Sequence, residues 1–147
     1  MKIIKTINFE NEAELDSSEF ITRVAARAIV IDSENKIALL KSNKLNYYKL
    51  PGGWDIEIVD ELGKIIEYKP KNKFIQESYN FVTKIVGKKG EVEFTEKEIK
   101  EGFELLWVSL EDAIRLVKEE TVFSEEGKSR EEREITILEE YKKIHLS

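Results

Sequence analysis

The sequence predicts an α+β domain in which a mixed or largely antiparallel β-sheet is flanked by helices. Three observations predict it. Segments whose hydropathy alternates with a period of two fill the first two thirds of the chain. Segments of helical period with recognisable N-caps come only after them. Finally, 147 residues, 41% of them hydrophobic, are enough for one domain with a sizeable core, so residues 1–147 are expected to form a single unit. Strands followed by helices, rather than alternating with them, are the order of a layered α+β fold.

The elements follow in turn. "MKIIKTINFE" mixes β-branched and polar residues and suits a strand, whereas "NEAELDSSEF" is acidic and loop-like. "TRVAARAIVID" alternates: Val24, Ala26, Ala28 and Val30 share one face, and Arg23, Ala25, Arg27, Ile29 and Ile31 share the other. "DSENK" has turn composition and leads into the apolar "KIALLKS", which predicts a hairpin. "YYKL" is a short strand ending at Pro51. Leu50-Pro51-Gly52-Gly53 suits a type II turn, with Pro at i+1 and Gly at i+2. In "DIEIVDELGKIIEYK" Ile56 and Ile58 alternate, and Gly63 marks a bulge or bend. "FIQESYNFVTKIVG" places Tyr79, Phe81 and Thr83 opposite Val82, and "ELLWVSL" is a further strand.

Helix signals cluster near the C-terminus. "TEKE", from Thr95, has a capping pattern for a short turn of helix. Ser109 is an N-cap for "LEDAIRLVKEE", with Asp112 at the capping-box position and Ala113, Ile114 and Val117 as its apolar stripe. Ser129-Arg130-Glu131-Glu132 has the same form and predicts the start of a last helix carrying Ile135, Ile137, Leu138, Tyr141 and Ile144. The run "REEREITILEE" within it is expected to present a solvated charged face.

Composition narrows the chemistry. The chain has no Cys and one His, His145, which excludes disulfide frameworks, Cys nucleophiles and Cys-based zinc sites and argues against Ser-His triads and His-based metal clusters. A formal net charge of −6 argues against nucleic acid or an anionic membrane as partner, yet a few local Arg and Lys can hold one phosphate group. No apolar run has the length of a membrane span and the first residues lack a signal-peptide core, so a cytoplasmic protein is expected. A homo-oligomer is compatible with all of this.

Two stretches carry a resemblance. "RVAARAIVIDSENKIALLKSNKLNYYKLPGG", and later "FIQESYNFVTKIVG" with "FTEKEIKEGFELLWVSLEDAIRLV", resemble the Nudix hydrolases. The resemblance covers roughly residues 21–141 and rests on the order of hairpin, LPGG, aromatic strand and "ELLWVSLEDAI". It implies an α/β/α sandwich and a domain related to enzymes that hydrolyse nucleoside diphosphates linked to another group, with Mg²⁺ as cofactor. The family signature, G-x5-E-x7-R-E-U-x-E-E-x-G-U with U a bulky aliphatic residue, does not follow Gly53. Its first Glu falls on Val59, its Arg-Glu on Glu67-Tyr68, and its Glu-Glu on Lys71-Asn72. The loop and catalytic helix of the family are therefore expected to be missing, with Trp54-Asp55 at the join.

That loss bears on catalysis. Mg²⁺ takes oxygen ligands in octahedral geometry, and the signature supplies carboxylates at i, i+3 and i+4 on one helical face. The resemblance then implies a catalytically impaired protein that binds a nucleotide or another phosphorylated small molecule. The alternatives are an active hydrolase using carboxylates from elsewhere, such as Glu98 with Asp55 or Glu57, and a shortened form of an ordinary hydrolase. Candidate substrate contacts are Arg23, Arg27, Gly52, Gly53 and Trp54, and the candidate metal ligand is Glu98. Each has a plainer reading: surface or ion-paired arginines, a turn that closes a shortened chain, a plug in the vacated space, and a helix-cap Glu.

Overall fold

A computed structural model describes residues 1–8, 19–44, 47–50, 56–70, 73–86, 96–120 and 124–145. Gly52, Gly53, Trp54 and Asp55 lie outside them. The described chain is a mixed α+β fold built on one sheet. Its strands are β1 (Ile3–Ile7), β2 (Ile21–Ile31), β3 (Ile37–Ser42), β4 (Tyr47–Lys49), β5 (Ile56–Lys69), β6 (Phe74–Ile85) and β7 (Phe103–Val108). Its helices are α1 (Glu96–Lys100), α2 (Leu110–Glu119) and α3 (Glu125–His145).

The spatial order is β1-β5-β6-β2-β3-β4, with β7 paired to β3. β1 lies parallel to β5 and β2 parallel to β6, while the β5–β6, β3–β4 and β3–β7 pairs are antiparallel. The sheet is thus mixed. Its weakest joint is β2 to β3, which share one register pair, Ile31 with Ile37. The predicted hairpin therefore splays at once. Its turn does form: the Asp32 carboxylate accepts from the amides of Glu34 and Lys36, and Asn35 takes φ 61°. Beyond the turn β3 turns its edge to β4, so a cleft opens between β2 and β4.

Alternation decides which face is buried. Ile29, Ile31, Val82, Ile37, Leu39 and Ile65 form one core with Ala113 and Val117 of α2 and Ile137, Leu138 and Tyr141 of α3. Both long helices accordingly pack together on one face of the sheet. Each of the Ile, Leu and Val side chains contributes about 1.5–3 kcal/mol by leaving water. Gly63 sits at a register shift in β5 with φ 139°, and a Cβ there would lie 2.5 Å from Ile4 Cγ2. The predicted bulge is thus real, and it lets β1 approach β5 closely.

The caps divide. Ser109 is the N-cap of α2 as predicted, and its hydroxyl accepts from the Asp112 amide at 3.1 Å. Ser129 is not a cap. α3 begins at Glu125, where Ser124 accepts from Gly127 N through its hydroxyl and from Lys128 N through its carbonyl. Ser129 is instead buried in the second turn, and its hydroxyl is taken by Glu67.

Candidate functional site: a cationic cleft at the sheet split

The cleft between β2 and β4 holds a cavity of about 470 Å³, within the size range of small-molecule sites. Ala26, Arg27, Ala28 and Val30 of β2 form one wall. Ile56, Ile58, Phe81 and Thr83 continue it, Lys49 and Leu50 stand opposite, and Arg130, Arg133 and Glu134 of α3 complete the lining. Among the described residues, four cations thus meet one carboxyl group around a largely apolar space.

The position of the α3 charges follows from helical spacing. Residues 130, 133, 134, 137, 138 and 141 repeat at i, i+3, i+4 and i+7, so Arg130, Arg133 and Glu134 extend the stripe that Ile137, Leu138 and Tyr141 bury in the core. The expectation of a solvated face for "REEREITILEE" fails for these residues. Arg133 is 8% and Glu134 4% exposed.

Buried charges need partners, and these have them in part. Glu67, fully buried on β5, accepts from Arg133 Nη1 through both oxygens at 3.1 Å and from the Ser129 hydroxyl at 2.8 Å. Lys69 Nζ lies 3.7 Å from the same carboxylate. Glu120 accepts from Tyr48 N at 2.8 Å and stands 3.6 Å from Arg130 Nη2. Arg130 also lies over the Tyr47 ring, 4.0 Å from its centroid. Glu134 accepts from Leu50 N at 3.3 Å. Glu120 and Glu134 therefore cap the amides of Tyr48 in β4 and of Leu50 just after it. The pairing is still incomplete. Arg130 Nε and Nη2, Arg133 Nε, Glu120 Oε1 and Glu134 Oε2 are buried without a hydrogen-bond partner.

The electrostatics lean positive. Burial pushes the Glu134 carboxyl up to about 8, against the pull of Arg133 and Arg130, so it is largely neutral at pH 7. Burial likewise raises Glu120, opposed by its bond from Tyr48 N and by Arg130. Arg27 is held below its ordinary value by burial and by Arg133, but a guanidinium remains charged. Tyr47 is pushed up to about 12 by burial and by its hydrogen bond to Glu101, so it stays a neutral phenol.

Of the residues singled out in the sequence, Arg27 lines the cleft, with its Nε donating to Ser78 Oγ at 3.3 Å. It has no carboxylate within ion-pair distance among the described residues. Arg23, on the same face of β2, is exposed and lies over the Phe74 ring, 4.2 Å from its centroid, away from the cavity. Glu98 forms an ion pair of 3.0 Å with Lys49, which places it beside the cleft rather than among its lining. Glu57 is exposed and alternates away from Ile56 and Ile58. Gly52, Gly53 and Trp54 lie outside the described residues, although Leu50, which leads into them, lines the cavity.

Sequence reasoning missed Lys49, Arg130, Arg133 and Glu134. For the last three the signal was present, since they fall in register with the apolar stripe. The described residues around Glu98 do not fit Mg²⁺: its near neighbour is an ammonium, and no group of three or more Asp, Glu or His among the described residues is placed to hold a metal. No helix among the described residues is long and apolar enough to cross a membrane. The chain matches no protein-family model and no curated protein.

Proposed function

We propose that this protein is a Nudix-like domain that binds a nucleotide or another phosphorylated small molecule in the β2–β4 cleft, without hydrolysing it. The observation that carries the reading is the set of buried guanidinium nitrogens on two residues that line a cavity: among the described residues Arg130 Nε and Arg133 Nε have no hydrogen-bond acceptor, and Arg130 Nη2 has only Glu120 Oε1 at 3.6 Å. An unmet buried donor costs about 1–3 kcal/mol, and a phosphate oxygen is the acceptor that suits a guanidinium fork. Arg27 adds a cation that has no carboxylate within ion-pair distance among the described residues and feels Glu67 and Glu134 only at longer range, and the neutral Glu134 carboxyl can donate a hydrogen bond to an anion rather than repel it. The apolar wall leaves room for the body of the ligand. The Nudix relation rests on the order of sequence features given above, with LPGG directly after the strand that borders the cleft. The loss of hydrolysis rests on the signature carboxylates, whose positions hold Val59, Tyr68, Lys71 and Asn72.

A thermal-shift series with ADP and pyrophosphate, run in EDTA and in Mg²⁺, tests this. At a hundred times Kd a ligand adds about 2.7 kcal/mol, which raises Tm by several degrees. The expected shift is the same with and without metal, with no release of phosphate or nucleoside monophosphate. A shift seen only with Mg²⁺, or product release, would count against the reading.

A further inference from the structure

The strand that borders the cleft has a second unusual property. β2 is paired to β6 along eleven consecutive positions, from Ile21↔Phe74 to Ile31↔Lys84, with no register shift. On its other edge, among the described residues, it meets β3 only at Ile31. Among the described residues the edge from Ile21 to Val30 is thus long, regular and unpaired, and it contains neither Pro nor bulge. Ile21, Thr22, Arg23 and Val24 are all exposed, Ile21 at 71% and Val24 at 68%, so both faces of the strand reach solvent there. An edge of this kind is a template for another strand, and proteins ordinarily blunt one with charge, kinks or a cover.

Here the charge is one-sided. Arg23 and Arg27 are the only charged residues of β2 and lie on one face with Ala25 between them, whereas Val24, Ala26 and Ala28 lie on the other. The apolar side continues across the sheet through Phe81 and Ile58, the latter 60% exposed. A second copy of the chain is a poor occupant. Antiparallel self-pairing about Ala25 sets Arg23 against the second copy's Arg27, and parallel self-pairing sets each Arg against its equivalent. Like charges directly opposite destabilise a strand pair, whereas opposite charges stabilise it.

We propose that the free edge of β2, from Ile21 to Ala28, binds an extended acidic peptide by strand addition. Main-chain hydrogen bonds to β2 hold the peptide. Acidic residues at alternate positions meet Arg23 and Arg27, and the apolar residues between them extend the Val24–Ala26–Ala28 face. This inference shares Arg27, Ala26 and Ala28 with the cleft but needs neither Arg130 nor Arg133, and Arg23, which lies outside the cavity lining, tells the two apart.

End-blocked peptides of alternating Val and Glu, and of alternating Val and Lys, provide the test, with binding followed by fluorescence anisotropy. The Glu peptide is expected to bind on the order of tenfold more tightly than the Lys peptide, the preference weakening as salt rises. Arg23→Glu, at an exposed position, is expected to abolish or invert that preference. N-methylation of alternate backbone amides on the peptide edge facing β2 is expected to eliminate binding. Equal affinity for the two peptides, binding that survives methylation, or no binding of either at millimolar concentration would overturn the proposal. So would a preference unchanged in Arg23→Glu.

Discussion

Glu67 is the point at which the cleft and the fold depend on one another, and Glu67→Gln tests that dependence. The carboxylate is fully buried and serves Arg133, Ser129 and, at longer range, Lys69. Glutamine keeps the volume and one acceptor oxygen, so packing survives and Ser129 or Arg133 retains a bond. What is lost is the countercharge to a guanidinium that is itself 8% exposed. Removing one partner of a buried ion pair typically costs 3–5 kcal/mol, and the retained acceptor puts the expected loss at about 3 kcal/mol. Against a typical domain stability of roughly 5–15 kcal/mol this is a large fraction. Urea unfolding followed by circular dichroism should show the midpoint fall by roughly 1–3 M at an ordinary m-value. Adding Arg133→Met removes the stranded cation, and the double variant should recover more than about 1 kcal/mol relative to the sum of the two single changes. A loss below about 1 kcal/mol for Glu67→Gln, or strict additivity, would refute the idea that this pair anchors α3 to the sheet.

Three further outcomes are expected. The Glu134 carboxyl has a folded pKa of about 8, above its unfolded value, so the folded state holds the extra proton between those two values. Its contribution to stability is therefore lost as pH rises from about 4.5 to 8, and Glu134→Gln should flatten this slope and raise Tm at pH 9 relative to the parent. An unchanged slope would contradict the burial argument. Gly63→Ala should cost about 1–3 kcal/mol in urea titration, because φ is 139° and the new methyl meets Ile4. Ser109→Ala should cost about 1 kcal/mol by the same assay through loss of the α2 cap.

Features set by local chemistry were legible in the sequence. The alternation of β2 and β6, the bulge at Gly63, the turn at Asp32 and the cap at Ser109 each depend on a few neighbouring residues. The last helix shows where this stops. Ser129-x-x-Glu132 fits a capping box better than Ser124, whose third following residue is Gly127, yet the helix starts at Glu125. Ser129 instead donates to Glu67, 62 residues away in the chain, a contact that no local pattern contains. For the same reason Arg133 read as a surface charge. Its partner lies on strand β5, and only its register with Ile137 and Tyr141 hinted at burial. The divergence of β2 from β3, which creates the cleft, depends on β4 taking the edge of β3 and is likewise a matter of tertiary pairing.

Titration calorimetry of ADP in EDTA, with the parent chain and with Arg27→Gln, probes the cleft most directly. A charge-assisted hydrogen bond contributes about 1.5–3 kcal/mol, so the parent should bind without metal and the variant on the order of tenfold more weakly at an unchanged Tm. Equal affinity in the two proteins, or heat that appears only once Mg²⁺ is supplied, would contradict a metal-free cationic cleft as the binding site.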